Sequence, residues 1–142
     1  MISDDELVEG FESASLAQFH HADHVHLTIV YLARYGRDEA LRRLTAGIQR
    51  LAAADSHPEK FHVTLTRAWL DLIDAARAMH PDAASAAALV AACPALLDRS
   101  ALDRCYSPEL LRSDRARTEW IPPDLGPLTA AITSQADRKL DR

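Results

Sequence analysis

The sequence predicts an all-α protein: a single-domain helical bundle of about five to seven helices. Three observations carry this reading. Alanine and leucine are abundant while only four glycines occur in 142 residues, a balance that favours helix over sheet. Apolar residues recur at helical spacing, most cleanly as Leu41, Leu44, Ile48 and Leu51, with Arg42, Arg43 and Arg50 off that stripe. The periodic segments are separated by short helix-stopping links at Gly36, His57-Pro58 and His80-Pro81.

Taken in order, Ser3 and Glu6 form a capping box ahead of Leu7, Val8 and Phe11, a first helix that ends between Gly10 and Ser13. A polar link leads to a second helix over residues 22–35, stopped by Gly36. The third spans 37–53. A fourth is expected to run from Glu59 to Met79, and a fifth, alanine-rich, from a cap at Asp82 to Ala92. Ser107-Pro108-Glu109 has the cap and first-turn proline of a short helix. Ser113-Asp114 opens another that ends at Trp120. Residues 1–133 read as one domain and 134–142 as a polar, frayed tail.

At 142 residues the chain is long enough for a core without staples. A net charge of −5, with 16 Lys+Arg dispersed among 21 Asp+Glu, leaves no basic stripe and argues against nucleic acid as a partner. No apolar run approaches the ~18 residues that cross a bilayer, and the acidic start Met1-Ile2-Ser3-Asp4-Asp5-Glu6 is unlike a signal peptide. A cytoplasmic protein is expected, with no membrane partner. Cys93 and Cys105 lack CxxC spacing and read as reduced core thiols. A homo-oligomer is compatible with this composition.

Chemistry concentrates at Phe19-His20-His21-Ala22-Asp23-His24-Val25-His26, which holds four of the seven histidines. Histidine is the side chain best suited to binding a metal or moving a proton near neutral pH. With 3.6 residues per turn, His21 and His24 lie roughly 60° apart on a helix surface. Val25, Thr28, Tyr31, Leu32 and Tyr35 continue that face. His26 points the other way and reads as solvent-facing; His20 precedes the helix, so its direction is not fixed. On the fourth helix His62, Thr66, Trp69 and Ile73 form a second stripe.

Convergence of His21, His24 and His62 would give three imidazoles with open coordination positions, the arrangement of a catalytic metal site. Zn²⁺ and Fe²⁺ are the divalent metals that suit it, and no organic cofactor is implied. Thr28, Tyr31, Thr66, Trp69 and Tyr106 are candidate pocket lining, and the segment from Arg104 to Ser107 is placed to fold over the site. Asp23 points away from the pair and reads as a first-turn carboxylate facing the helix dipole. His57 and His80, beside prolines, read as surface residues. There is no GxSxG, phosphate loop or HExxH. Three readings stay open: a metal-dependent enzyme acting on a small molecule, a metal-free module whose histidines bind an organic ligand, and a structural or interaction protein whose histidines are core residues or helix caps.

Phe19-x-His21-x-x-His24 leading into Tyr31-Leu32, then Lys60-Phe61-His62-x-Thr64, Tyr106-Ser107 and Trp120-Ile121-x-Pro123-Asp124-Leu125, together resemble a group of small, uncharacterised bacterial helical proteins over most of the chain. The resemblance implies an all-helical fold and no activity. Where that group often has glutamate after the third histidine, this chain has Val63. The histidine-lined helical arrangement is also similar in architecture to DinB-like metal-dependent bundles, whose motif is a late HxxxH pair rather than an early HxxH.

Overall fold

A computed structural model describes residues 2–133. Seven α-helices and three 3₁₀ turns follow one another: α1 (Asp4–Glu12), α2 (His21–Tyr35), α3 (Arg37–Ala54), a turn at Pro58–Lys60, α4 (Val63–Met79), α5 (Ala86–Ala92), turns at Pro94–Leu97 and Ala101–Arg104, α6 (Pro108–Arg112) and α7 (Asp114–Thr118). A further helical stretch begins at Ala130 and reaches the end of the described residues, among which there is no strand. The protein is all-α. No described helix is long and apolar enough to cross a membrane.

The bundle is organised around α2, whose residues 27–32 are all buried. A helix apolar on every side has to be central. α3 and α4 pack against it and against each other, α1 covers another side, and α5 with the Pro94–Leu97 turn covers a fourth. Helix α1 starts as expected, with Ser3 Oγ accepting the Glu6 amide at 3.1 Å and Glu6 Oε1 accepting the Ser3 amide at 3.2 Å. Cys93 and Cys105 are buried and unpaired with each other.

Between α2 and α3 the chain reverses through one residue, Gly36, at φ 80° and ψ 174°. This backbone region is essentially restricted to glycine, and no atom lies within 4 Å of where a Cβ would stand. The constraint is therefore conformational rather than steric. Gly36→Ala should cost about 1–2 kcal/mol, measurable as a lower urea midpoint with unchanged m-value; an unchanged midpoint would show that the link relaxes.

Two helix starts differ from the sequence expectation. The fourth helix does not begin at Glu59: residues Pro58–Lys60 form a separate 3₁₀ turn, and α4 starts at Val63. The reason is His62, extended at φ −133° and ψ 111°, whose ring Nδ1 accepts the Leu65 amide at 3.1 Å. The fifth helix is not capped by Asp82. The Ala83 amide bonds the His80 carbonyl in a turn, and Ser85 Oγ takes the Ala88 amide at 3.1 Å, so α5 starts three residues late. The tail expected over 134–142 lies outside the described residues.

The C-terminal third is fixed to α4 through one hydroxyl. The buried Thr64 Oγ lies 2.6 Å from the Ala116 carbonyl and 2.8 Å from that of Glu119, sharing its proton between them, and accepts the Ile121 amide at 3.2 Å. Tyr106 Oη donates to the Ile121 carbonyl at 2.8 Å, and Asp124 accepts the Ser107 amide at 2.8 Å. These bonds hold the 105–125 region against the opening turn of α4.

Candidate functional site

A cleft of about 930 Å³ opens where the first turns of α2 and α4 meet the 97–103 segment. His20, His21, His24 and His62 all line it, so the two halves of the histidine pattern do come to one place. Thr66 and Trp69 line it as expected. Leu16, Leu65, Leu102 and Leu111 supply further apolar wall, and Asp55, Lys60, Arg99 and Asp103 bring charge to it.

Each imidazole is held differently. His21 packs edge-on against the Trp69 indole, ring centroids 4.5 Å apart, and its Nε2–H donates to the Leu96 carbonyl at 2.9 Å. Because a carbonyl can only accept, the proton sits on Nε2 and the lone pair on Nδ1. His62 donates Nε2–H to the Leu111 carbonyl at 2.8 Å while its Nδ1 caps α4. Both of its nitrogens are engaged. His20, exposed, donates Nε2–H to Gln18 Oε1 at 3.0 Å. His24 stands apart: its Nε2 is a buried polar atom with no hydrogen-bond partner. Its ring meets Phe19 edge-on at 6.2 Å and lies 6.2 Å from that of His21.

Burial pushes the His24 imidazole down to about 4, with the neighbouring His21 adding to the effect. Burial also lowers His21; the Leu96 carbonyl opposes this, the Arg99 charge adds to it, and Asp98 opposes it weakly. At neutral pH His24 is therefore an uncharged imidazole in the wall of a cleft.

Among the described residues no three His, Cys, Asp or Glu side chains stand close enough to hold a metal ion. Two imidazoles sharing one tetrahedral zinc at Zn–N of about 2.0–2.1 Å have ring centres roughly 5 Å apart, closer than the 6.2 Å between His21 and His24. His62 would also have to release the Leu65 amide.

The other sequence candidates fall elsewhere. Thr28 donates to the His24 carbonyl one turn back at 2.8 Å. Tyr31 is buried in the core, its hydroxyl donating to Glu12 at 2.7 Å, and Tyr106 is committed to Ile121. None of the three lines the cleft. The covering segment is not Arg104–Ser107 but the stretch just before it, including Leu97, Arg99, Leu102 and Asp103. His26 does point away from the cleft, but it is not free in solvent. Helix α1 packs there, and His26 Nε2 bonds Asp4 Oδ1 at 2.6 Å with its side chain 23% exposed; Arg34 pairs with Asp5 at 2.8 Å. The acidic first turn of α1 thus has partners on α2 that helical phase alone does not reveal. Asp23 accepts the His20 amide at 2.9 Å, a local helix-start role. His57 bonds Glu59 at the surface.

Sequence reasoning missed Arg99, Asp103, Lys60 and Leu111. Short 3₁₀ turns, the links between them and a five-residue helix carry no long apolar period, so nothing in the pattern placed these residues at the cleft; Pro94 and the Asp98-Arg99-Ser100 run mark only that the chain turns there. No protein-family model, curated protein or solved structure matches the chain.

Proposed function

We propose that this protein binds a small organic molecule in the histidine-lined cleft, with the neutral His24 and His21 imidazoles as hydrogen-bonding groups and Trp69 as apolar wall. The observation that carries the proposal is the unpartnered, buried His24 Nε2. An unmatched buried polar atom costs about 1–3 kcal/mol, and a ligand that bonded it would recover part of that cost. The cleft's volume of about 930 Å³ lies within the ~300–1,000 Å³ range of small-molecule sites.

A second reading, a divalent metal (Zn²⁺ or Fe²⁺) on His21, His24 and His62 serving an enzyme that acts on a small molecule, is favoured by one observation. His21 donates its Nε2–H to a backbone carbonyl, as metal-ligating imidazoles usually do with their second nitrogen. One experiment separates the two: untagged protein is titrated with Zn²⁺, with anaerobic Fe²⁺ and with a fragment set, following the imidazole ¹H–¹⁵N shifts and the melting temperature. The first reading expects organic fragments to shift the His24 and His21 resonances and raise the melting temperature, with the gain lost in His24→Leu. One metal per chain, bound with a stability gain that His21→Ala and His24→Ala abolish, would transfer the site to the second reading. Protein indifferent to both metals and fragments would leave the histidines as structural groups, as in a helical interaction protein.

A further inference from the structure

We infer that the ligand of this cleft carries an oxyanion group, a carboxylate or a phosphate monoester, seated between Arg99 and the opening turn of α2, with an apolar body lying against Trp69. This rests on the small-molecule reading above and narrows it to a chemical class.

The first observation is the direction of the two long helices. α2 has 15 residues and α4 has 17. Both begin at the cleft: His20, His21 and Ala22 of one start, and His62, Leu65 and Thr66 of the other, line it. A helix N-terminus carries about half a positive charge and outward-pointing amides, and it favours anions. Asp23 bonds the His20 amide and His62 takes the Leu65 amide, so the start with uncapped amides in the cleft wall is that of α2, at His21 and Ala22.

The second observation is independent of the helices. His24 Nε2 is buried in the same wall and has no partner. With no hydrogen bond fixing its tautomer, the neutral His24 ring is free to carry its proton on Nε2 and donate it to an oxyanion.

The rim supplies a cationic partner for such a group. Lys60, Arg99, Asp55 and Asp103 all line it, so formal charge cancels. Lys60 lies 4.0 Å from Asp55 and is partly matched. Among the described residues neither Arg99 nor Asp103 forms an ion pair, so the Arg99 guanidinium is open to a ligand. A cation would meet the unfavourable end of the α2 dipole. An anion meets a guanidinium suited to two-point contact with carboxylate or phosphate.

Three probes of matched body test the inference: benzoate, phenyl phosphate and benzamide, titrated at pH 7.5 and low salt into the full chain. Imidazole ¹H–¹⁵N shifts of His21 and His24 are read together with dissociation constants. At least one of the two anions should bind tenfold or more tightly than benzamide, and Arg99→Gln should reduce that ratio below threefold without changing the circular dichroism spectrum. The tighter anion identifies carboxylate or phosphate as the recognised group. Benzamide binding as tightly as both anions would overturn the anion assignment and leave small-molecule binding standing. A ratio unaltered in Arg99→Gln would overturn the seat beside Arg99. Imidazoles unmoved by all three probes would overturn the small-molecule reading together with the inference.

Discussion

Acidification from pH 6.5 to 4 should remove about 3 kcal/mol of folding stability through a single imidazole. In the folded chain His24 protonates only near pH 4, whereas in the unfolded chain it does so near the ordinary 6.5. Below pH 6.5 the unfolded state therefore takes up a proton that the folded state refuses, and stability falls until the folded group also titrates. At about 1.4 kcal/mol per pH unit the interval amounts to about 3 kcal/mol. His21, lowered for the same reason, adds to the loss in the same direction. Urea titrations at half-unit pH steps would measure it, and His24→Leu should flatten most of the slope. A wild-type midpoint constant from pH 6.5 to 4.5 would mean that the ring is hydrated in solution.

Gly47→Ala should lower stability by about 1–2 kcal/mol although alanine is the better helix former. Gly47 is buried on α3, and a Cβ there would fall well inside van der Waals separation of Cε2 and Cζ of Phe11. Phe11 has little room to yield: it is 0% exposed, stacked on Phe19 at 5.2 Å and edge-on to Tyr31 at 6.2 Å. Overpacking a filled core costs about 1–3 kcal/mol and sometimes more, and the helix propensity gain of about 1 kcal/mol offsets only part of it. Since Phe19 in turn meets His24, the displacement should also move the His24 imidazole resonances. Denaturation of Gly47→Ala, Phe11→Leu and the double variant gives the check: the double should lose less than the two singles together. A Gly47→Ala protein within 0.5 kcal/mol of the parent would show that the Phe11 ring turns aside freely.

The long helices were legible because each repeats one signal many times. Leu41, Leu44, Ile48 and Leu51 mark a face four times over, and the continuous burial of α2 follows from its apolar run. His21 and His24 could be placed together because they share one helix, where phase is reliable. Phase failed one residue short of a helix. Periodicity puts His62 in the α4 stripe, but its imidazole caps the Leu65 amide and the residue is extended; it reaches the same neighbourhood by a route that periodicity does not describe. His26 was misjudged for a different reason. The angle that turns it from the cleft was right, but which element covers that side depends on where α1 docks, and Asp4 and Asp5 look like ordinary first-turn acids. Arg99 and Leu111 reach the cleft only because turns of four or five residues bend the chain back, and segments that short do not repeat any pattern.

The hydrogen bonds of His21 to Leu96 and of His62 to Leu111 close chain separations of 75 and 49 residues, and this has a consequence for timing. The α2–α3 reversal and the packing of α4 on α3 involve near neighbours in sequence, which meet early because their loop-closure entropy is small. The cleft walls can dock only after those helices stand. Bonds made after the rate-limiting step hold the folded state without hastening its arrival, so their loss speeds unfolding and leaves refolding nearly untouched. Contact separation thus predicts that the cleft assembles late and opens early, so His62→Ala should raise the unfolding rate and leave the refolding rate nearly unchanged, as stopped-flow kinetics would check.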